Sequence, residues 1–253
     1  MVRRSKLLDY FPYSPRPYQE EVIKQIHGNL DFKHVCLHAP TGFGKTIVIL
    51  SSLIPRILRG IRVIWAVRTG NETDRPIEEL KIIVYKLGLP IFGISYRGKK
   101  DMCLLAEKYG ENLDYSDVSY ICSNYRDKCK FYLNSMSTFK LHSYLSLGPL
   151  TYSEVYKIGK QLSVCPYYIQ RALAKYANVI SLSYNYVVDS RLEWSIRPLI
   201  PFSKSILVVD EAHNLQNLEL NSDTITLGTI RRAKKEAEEF KAKDVISLLE
   251  YTE

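Results

Sequence analysis

The sequence predicts an α/β fold with a parallel sheet, on three observations. Short apolar runs rich in β-branched and aromatic residues recur at 61–68 (IRVIWAVR), 90–98 (PIFGISYRG) and 205–210 (SILVVD). Segments of helical period lie between them. A glycine-rich turn at 39–46 joins an apolar run, 34–40 (HVCLHAP), to the helix that follows. Strands alternating with helices favour parallel pairing through right-handed crossovers.

Taken in order, apolar residues at Val22, Ile23, Ile26 and Leu30 give the first helix, loosened at Gly28. Residues 34–40 read as a strand, and Cys36 within it as core. A helix opens near Lys45 and runs through TIVILSSLIPRIL. The strand 61–68 follows, then a helix at 77–88 closed by Gly88, then a strand at 90–98. From 99 to 168 the alternation stops, giving way to polar turns and many tyrosines. It resumes at 168–188, a helix then a strand, and at 205–214, a buried strand ending in acids. Residues 229–250 read as one charged amphipathic helix striped by Ile230, Ala233, Ala237, Phe240 and Leu248. Lys234–Glu238 and Lys235–Glu239, four apart on its exposed side, add only ~0.2–0.5 kcal/mol each.

Composition narrows the function classes. The 253 residues are 46% apolar, 25% charged and 11% aromatic, which excludes a disordered or fibrous chain. No apolar run is long enough to span a membrane, and the basic start MVRRSKLLDYF lacks the core of a signal peptide. A cytoplasmic protein, nuclear if eukaryotic, is expected. The net charge of +8 permits a polyanionic partner. Five cysteines in a reducing compartment favour metal binding or catalysis over disulfides.

Residues Ala39, Pro40, Thr41, Gly42, Phe43, Gly44, Lys45 and Thr46 fit a phosphate-binding loop with Ala in the first glycine position. Gly42 and Gly44 let backbone N–H groups turn inward around the phosphates of a triphosphate. Lys45 adds a mobile positive charge, the Thr46 hydroxyl can ligate Mg²⁺, and the helix dipole aims at the same phosphates. The second half of such a site is an acid at the end of a buried strand. Asp210 stands there to hold Mg²⁺, and Glu211 follows to polarise the attacking water. His213 completes the tetrapeptide DEAH.

These residues carry a resemblance. APTGFGKT and DEAH are similar to motifs I and II of superfamily 2 helicases. RPYQ, ending at Gln19, resembles that group's Q-motif, and VRTGNE (67–72) its motif Ia. FPY (11–13), CKFY (129–132), CPYY (165–168) and SYNYVVD (183–189) resemble the XPD-type DNA helicases that carry an iron–sulfur cluster. The resemblance runs from residue 10 to about 240. It implies a RecA-like P-loop domain with ATP and Mg²⁺ as cofactors. Gln19 would read the adenine edge and Arg68 and Thr69 would touch a single-strand backbone. Glu211 would be the catalytic base, with Lys45 on the phosphates, and His213 would couple hydrolysis to movement.

Cys103, Cys122, Cys129 and Cys165 are separated by 18, 6 and 35 residues. Spacing alone leaves zinc, an iron–sulfur cluster and unrelated thiols open, although no CxxC pair of the usual zinc kind is present. The resemblance implies that the four hold a 4Fe–4S cluster. A polar insert of this size has little apolar surface, and metal ligation can add folding free energy on the order of 10 kcal/mol. Tyr115, Tyr120, Tyr125, Tyr132, Tyr144, Tyr152 and Tyr156, among lysines, suit base stacking on single strands; packing is the competing explanation.

The expected organisation is a first motor segment at 1–98, a cluster insert at 99–168, a second motor segment at 169–222 and the start of an arch domain at 223–253. Nothing after DEAH resembles the motifs of a second motor domain. An engineered fragment, a truncated frame and a split gene all remain open. So do two functions: the ATP-binding half of a 5′–3′ helicase acting on single-stranded DNA, its second motor domain lost or supplied by another chain, or a non-motor nucleotide- and DNA-binding module with little ATPase activity. No membrane partner is expected.

Overall fold

The computed structural model describes residues 7–110, 113–137, 141–218, 225 and 227–252. Its strands are β1 (Arg62–Val67), β2 (Gly93–Ser95), β3 (Val179–Ser183) and β4 (Ser205–Val209). Its helices are α1 (Gln19–Asn29), α2 (Lys45–Ile57), α3 (Asp74–Leu87), α4 (Lys99–Met102), α5 (Tyr115–Tyr125), α6 (Lys130–Ser137), α7 (Leu141–Leu145), α8 (Tyr152–Leu162), α9 (Pro166–Ala174), α10 (Asn185–Val188), α11 (Ser190–Ile196), α12 (Leu227–Glu239) and α13 (Lys243–Thr252). The chain divides into a sheet unit, Met1–Arg97, Lys140–Val155 and Gln170–Gln216, and a helical unit, Gly98–Phe139, Tyr156–Ile169 and Asn217–Glu253.

The sheet is parallel throughout, in the order β2-β3-β1-β4. In register, Val63 faces Val179 and Ile206, and Ile64 faces Ile180 and Leu207. Side chains alternate between faces. Val63, Trp65 and Val67 therefore share one face, and they pack with Ile23, Val48, Leu53, Ile77 and Leu80 of α1, α2 and α3. Ile64 and Ile180 sit on the other face and are also buried, the pattern expected of a parallel sheet covered on both sides. That cover thins toward β4, where Leu207 is 47% exposed. Leu150 extends the opposite edge: Ser95 N–H donates to its carbonyl (3.1 Å), and its N–H donates to Gly93 O (2.8 Å). Residues 141–155, expected in the insert, thus lie with the sheet unit.

Two helices carry the site. α1 and α2 are clamped by Arg56, whose guanidinium donates to His27 O (2.7 Å) and pairs with Asp31 (2.9 Å). That guanidinium holds the Asp31 carboxyl below its usual range. α3 ends as its sequence predicts, with Gly88 in the left-handed region (φ 62°).

Three expectations are corrected. Residues 34–40 lie outside the named strands, and Cys36 is exposed. An extended run becomes a strand only beside a partner that supplies a ladder, and β4 forms the sheet's edge without pairing it. The polar stretch after residue 99 forms helices. Its polar residues include caps: at the start of α5, Asp114 accepts from Asp117 N–H (2.8 Å) and Asp117 from Asp114 N–H (3.0 Å). The single helix at 229–250 is two, α12 and α13. Lys241 adopts φ 57°, and Ala242 N–H reaches back to Ala237 O (2.9 Å), closing α12. Phe240, placed on the apolar stripe, is 76% exposed, and Lys234 reaches Glu250 of α13 (3.2 Å).

The two ends of the burial gradient should respond differently to truncation. Ile180→Ala is expected to cost about 2–5 kcal/mol in urea unfolding. Leu207→Ala, on the same face but half exposed, is expected to cost under about 1 kcal/mol; equal costs would contradict the edge position of β4.

Candidate nucleotide site and cysteine cavity

The phosphate loop takes the backbone its glycines permit. Gly42 and Gly44 have φ 84° and 85°, and Gly44 caps α2, which begins at Lys45. A Cβ on Gly44 would also come within 3.1 Å of Gln19 Nε2. Gln19 is buried and ties α1 to the loop: its Nε2 donates to Phe43 O (2.6 Å), and its Oε1 accepts from Arg16 N–H (2.8 Å). Each end of the amide keeps one further hydrogen-bonding site. Arg16 Nη1 donates to Gly42 O (2.8 Å). The Phe43 ring packs against the core, leaving its carbonyl to the loop.

The acids arrive from β4. Asp210 N–H donates to Ala66 O (2.9 Å), extending the β1–β4 ladder by one bond. Trp65 Nε1–H reaches Asp210 Oδ2 (3.4 Å). Glu211 turns away at φ 49°, and its carboxylate stands 3.3 Å from Lys45 Nζ and 3.5 Å from His213 Nδ1. Lys45 also donates to Ala39 O (3.2 Å). Glu211 is 48% exposed, so its ion pair with Lys45 is worth roughly 0.2–1 kcal/mol and yields readily to an anion with more charge. His213 is exposed.

Together these residues surround a cavity of about 660 Å³, lined by Gln19, Pro40, Thr41, Gly42, Gly44, Lys45, Thr46, Asp210 and Glu211. That volume lies within the range of small-molecule sites. Phe11, Tyr13, Arg16, Glu72, Arg75 and Glu79 also line it. Sequence reasoning missed Glu79 and Arg75, which lie on α3 and belong to no motif; helical spacing from the VRTGNE segment is the only signal they carry. Glu79 Oε2 is buried with no hydrogen-bond partner among the described residues, and burial raises its carboxyl pKa against the opposing pull of Arg75.

Arg68 and Thr69 are exposed at the end of β1. Thr69 caps the turn Gly70–Glu72. Behind that turn lies Arg97, only 8% exposed, donating to Thr73 Oγ1 (3.2 Å) and Asn71 Oδ1 (3.2 Å) and stacked 4.0 Å from the Tyr152 ring centre.

In the helical unit, Cys103, Cys122, Cys129 and Cys165 line one small cavity with Arg126, Tyr132 and Tyr168. All four are free thiols of intermediate exposure. Burial raises the Cys103 thiol pKa and pushes Cys165 up to about 12. Such thiols stay protonated unless a cation stabilises the thiolate. Among the described residues, no group of three or more His, Cys, Asp or Glu side chains is arranged to hold a metal ion. Several tyrosines of the former insert are held by protein contacts: Tyr132 lies 4.6 Å from Tyr168, Tyr120 lies under Arg232 (5.4 Å) and the Tyr156 hydroxyl donates to Glu107.

Comparison with known proteins places this geometry. Residues 65–230 match the DEAD_2 family. The chain belongs to the DEAD_2 family. Preceding this DEAD_2 region, residues 12–64 match the family described as Type III restriction enzyme, res subunit. The chain is similar to the "General transcription and DNA repair factor IIH helicase subunit XPD" of Arabidopsis thaliana, 28% identical over 269 residues, covering 93% of this chain and 35% of the relative. The protein of that name from Schizosaccharomyces pombe is 31% identical over 257 residues, covering 89% and 32%. The "Regulator of telomere elongation helicase 1 homolog" of Caenorhabditis elegans is 24% identical, covering 88% and 26%. Among solved structures, an XPD helicase superposes with TM-score 0.63 at 27% identity, over 94% of this chain and 40% of that one. A truncated XPD superposes with TM-score 0.59 at 27% identity, over 91% and 64%. This DEAD_2 chain thus spans about a third of the length of the curated XPD relatives it matches. The resemblance to XPD-type superfamily 2 helicases holds in both sequence and fold.

Glu79 yields a pH test. A carboxyl raised in the fold binds its proton more tightly there than in the unfolded chain, so folding stability falls as pH rises from about 4.3, the ordinary glutamate value, through the raised one. Glu79→Gln is expected to raise the melting temperature at pH 7 and to flatten its decline over that window. A variant less stable at pH 7 would contradict the unpaired burial.

Proposed function

We propose that this chain is the ATP-binding portion of an XPD-type, ATP-dependent DNA helicase that acts on single-stranded DNA in the 5′ to 3′ direction, in DNA repair. The observation that carries the reading is the convergence of the phosphate loop, Asp210 and Glu211 on one cavity. In this reading the loop amides and Lys45 hold the triphosphate, and Thr46 and Asp210 hold Mg²⁺. Glu211 orients the attacking water, and the Lys45–Glu211 contact opens when phosphate replaces the carboxylate. The spare hydrogen-bonding sites of Gln19 meet the adenine edge, and His213 links turnover to movement. Arg68 and Thr69 take the strand's phosphates. The second motor domain is the expected partner.

We also propose that Cys103, Cys122, Cys129 and Cys165 ligate a 4Fe–4S cluster. Support comes from their sharing one cavity, walled by Leu104, Leu105 and Phe131 with the Arg126 cation beside the thiols. The thiolates of a cluster stand further apart than the ligands of one ion, which is compatible with the lack of a single-ion site. Bound there, the cluster supplies folding free energy to the helical unit.

Single-strand-stimulated ATP hydrolysis by residues 1–253 tests the first reading. Glu211→Gln is expected to lower turnover about 10²–10⁴-fold with nucleotide binding retained. Lys45→Ala is expected to weaken nucleotide binding about tenfold or more. Binding without any stimulated turnover favours the non-motor module. Anaerobic purification tests the cluster: the protein should be brown with matching iron and sulfide, and Cys129→Ser should lose both and melt earlier. A colourless protein carrying one zinc would overturn that assignment.

A further inference from the structure

We propose that Tyr184 is a positioning residue for the catalytic acids, its hydroxyl bridging the backbone carbonyls of Asp210 and Glu211 and fixing the turn that presents both carboxylates. The inference rests on the ATP reading of the cavity and goes beyond it by naming what holds the acids in place.

Tyr184 follows β3 and is 1% exposed. A phenol so buried needs a partner for its O–H. It finds two carbonyls: it donates to Asp210 O and stands 3.1 Å from Glu211 O. Its backbone N–H donates to Val67 O (2.8 Å), so the ring is anchored to the end of β1.

The turn needs such an anchor. Glu211 is not glycine, yet it has φ 49°, a conformation that persists only where its surroundings over-determine it. Its carbonyl is also approached by Asn214 N–H (2.9 Å) and Nδ2–H (3.2 Å). Asp210 is fixed at three points: its N–H on Ala66 O, its carbonyl on Tyr184 and its carboxylate on the Trp65 indole (3.4 Å). The phenol is thus the group common to both acids, reaching the backbone of each from one buried side chain. A misplacement of ~1 Å at such a position costs on the order of 10²-fold in rate. Tyr184 is not among the residues that line the cavity; it acts through the turn.

Binding of a non-hydrolysable ATP analogue to the full chain, with and without Mg²⁺, tests this independently of turnover. The phosphate loop governs metal-free binding, and Asp210 governs the gain on adding Mg²⁺. Tyr184→Phe, which keeps the ring and removes the hydroxyl, is expected to reduce the Mg²⁺ gain about tenfold and to leave metal-free affinity within about twofold. Trp65→Phe, which removes the indole donor, should act in the same direction. An undiminished Mg²⁺ gain in folded Tyr184→Phe overturns the proposal, as does a parallel loss of metal-free affinity, which marks a general structural role. A Tyr184→Phe chain that does not fold marks a general structural role for the hydroxyl and overturns the proposal as well. A wild-type chain that binds no nucleotide overturns the ATP reading itself, and this inference with it; failure of the clamp alone is seen only beside a wild type that binds.

Discussion

Away from water, each residue of a parallel strand needs a neighbour for its N–H and its C=O. β1 meets that demand on both edges, through β3 and β4. The site depends on this shared ladder. Because the three strands run the same way and in register, their C-terminal ends bring Thr69, Tyr184 and Asp210 to one side of the sheet. Ligands in open parallel sheets bind beyond such ends. The acids are therefore placed by the continuation of a ladder, Asp210 N–H to Ala66 O, with the carbonyls beyond it caught by a phenol.

The phosphate loop is placed by other means. The segment before it lies outside the sheet, so side chains bind it to α1: Gln19 on Phe43 O and Arg16 on Gly42 O. The two halves of the site are thus held with different stiffness. A ladder end bonded to the central strand β1 resists displacement. Glycines with positive φ, tied by side chains at a surface, adapt more readily to an arriving phosphate. The weak, half-exposed contact of Lys45 with Glu211 spans that boundary.

Much of this was legible in the sequence. The alternating apolar runs define the strands, and the glycine loop and the acids after SILVV mark the two halves of the cavity. What local pattern could not convey depends on neighbours. Residues 34–40 are apolar enough for a strand, but pairing is decided by what lies alongside. The 229–250 stripe has helical spacing, yet Lys241 in the left-handed region breaks it where no glycine signals a stop. The helices after residue 99 were hidden because their caps are polar residues that read as turns. Within the site, motif residues were recoverable, whereas Arg97 and Tyr184 act through burial and partners distant in sequence, and Glu79 is marked by burial alone. Tyr184 lay inside a segment noted for resemblance, but only the fold reveals what its hydroxyl meets.

The chain has two tryptophans, and their surroundings could hardly differ more. Trp65 is fully buried with its indole N–H on Asp210, while Trp194 is 70% exposed. A buried indole emits to the blue of a hydrated one, and its excited state responds to charge beside it. The protein therefore carries its own optical reporter at the Asp210 carboxylate. With Trp194 silenced by acrylamide quenching or replaced by Phe, changes in charge at Asp210 can be followed through emission alone, with no label attached.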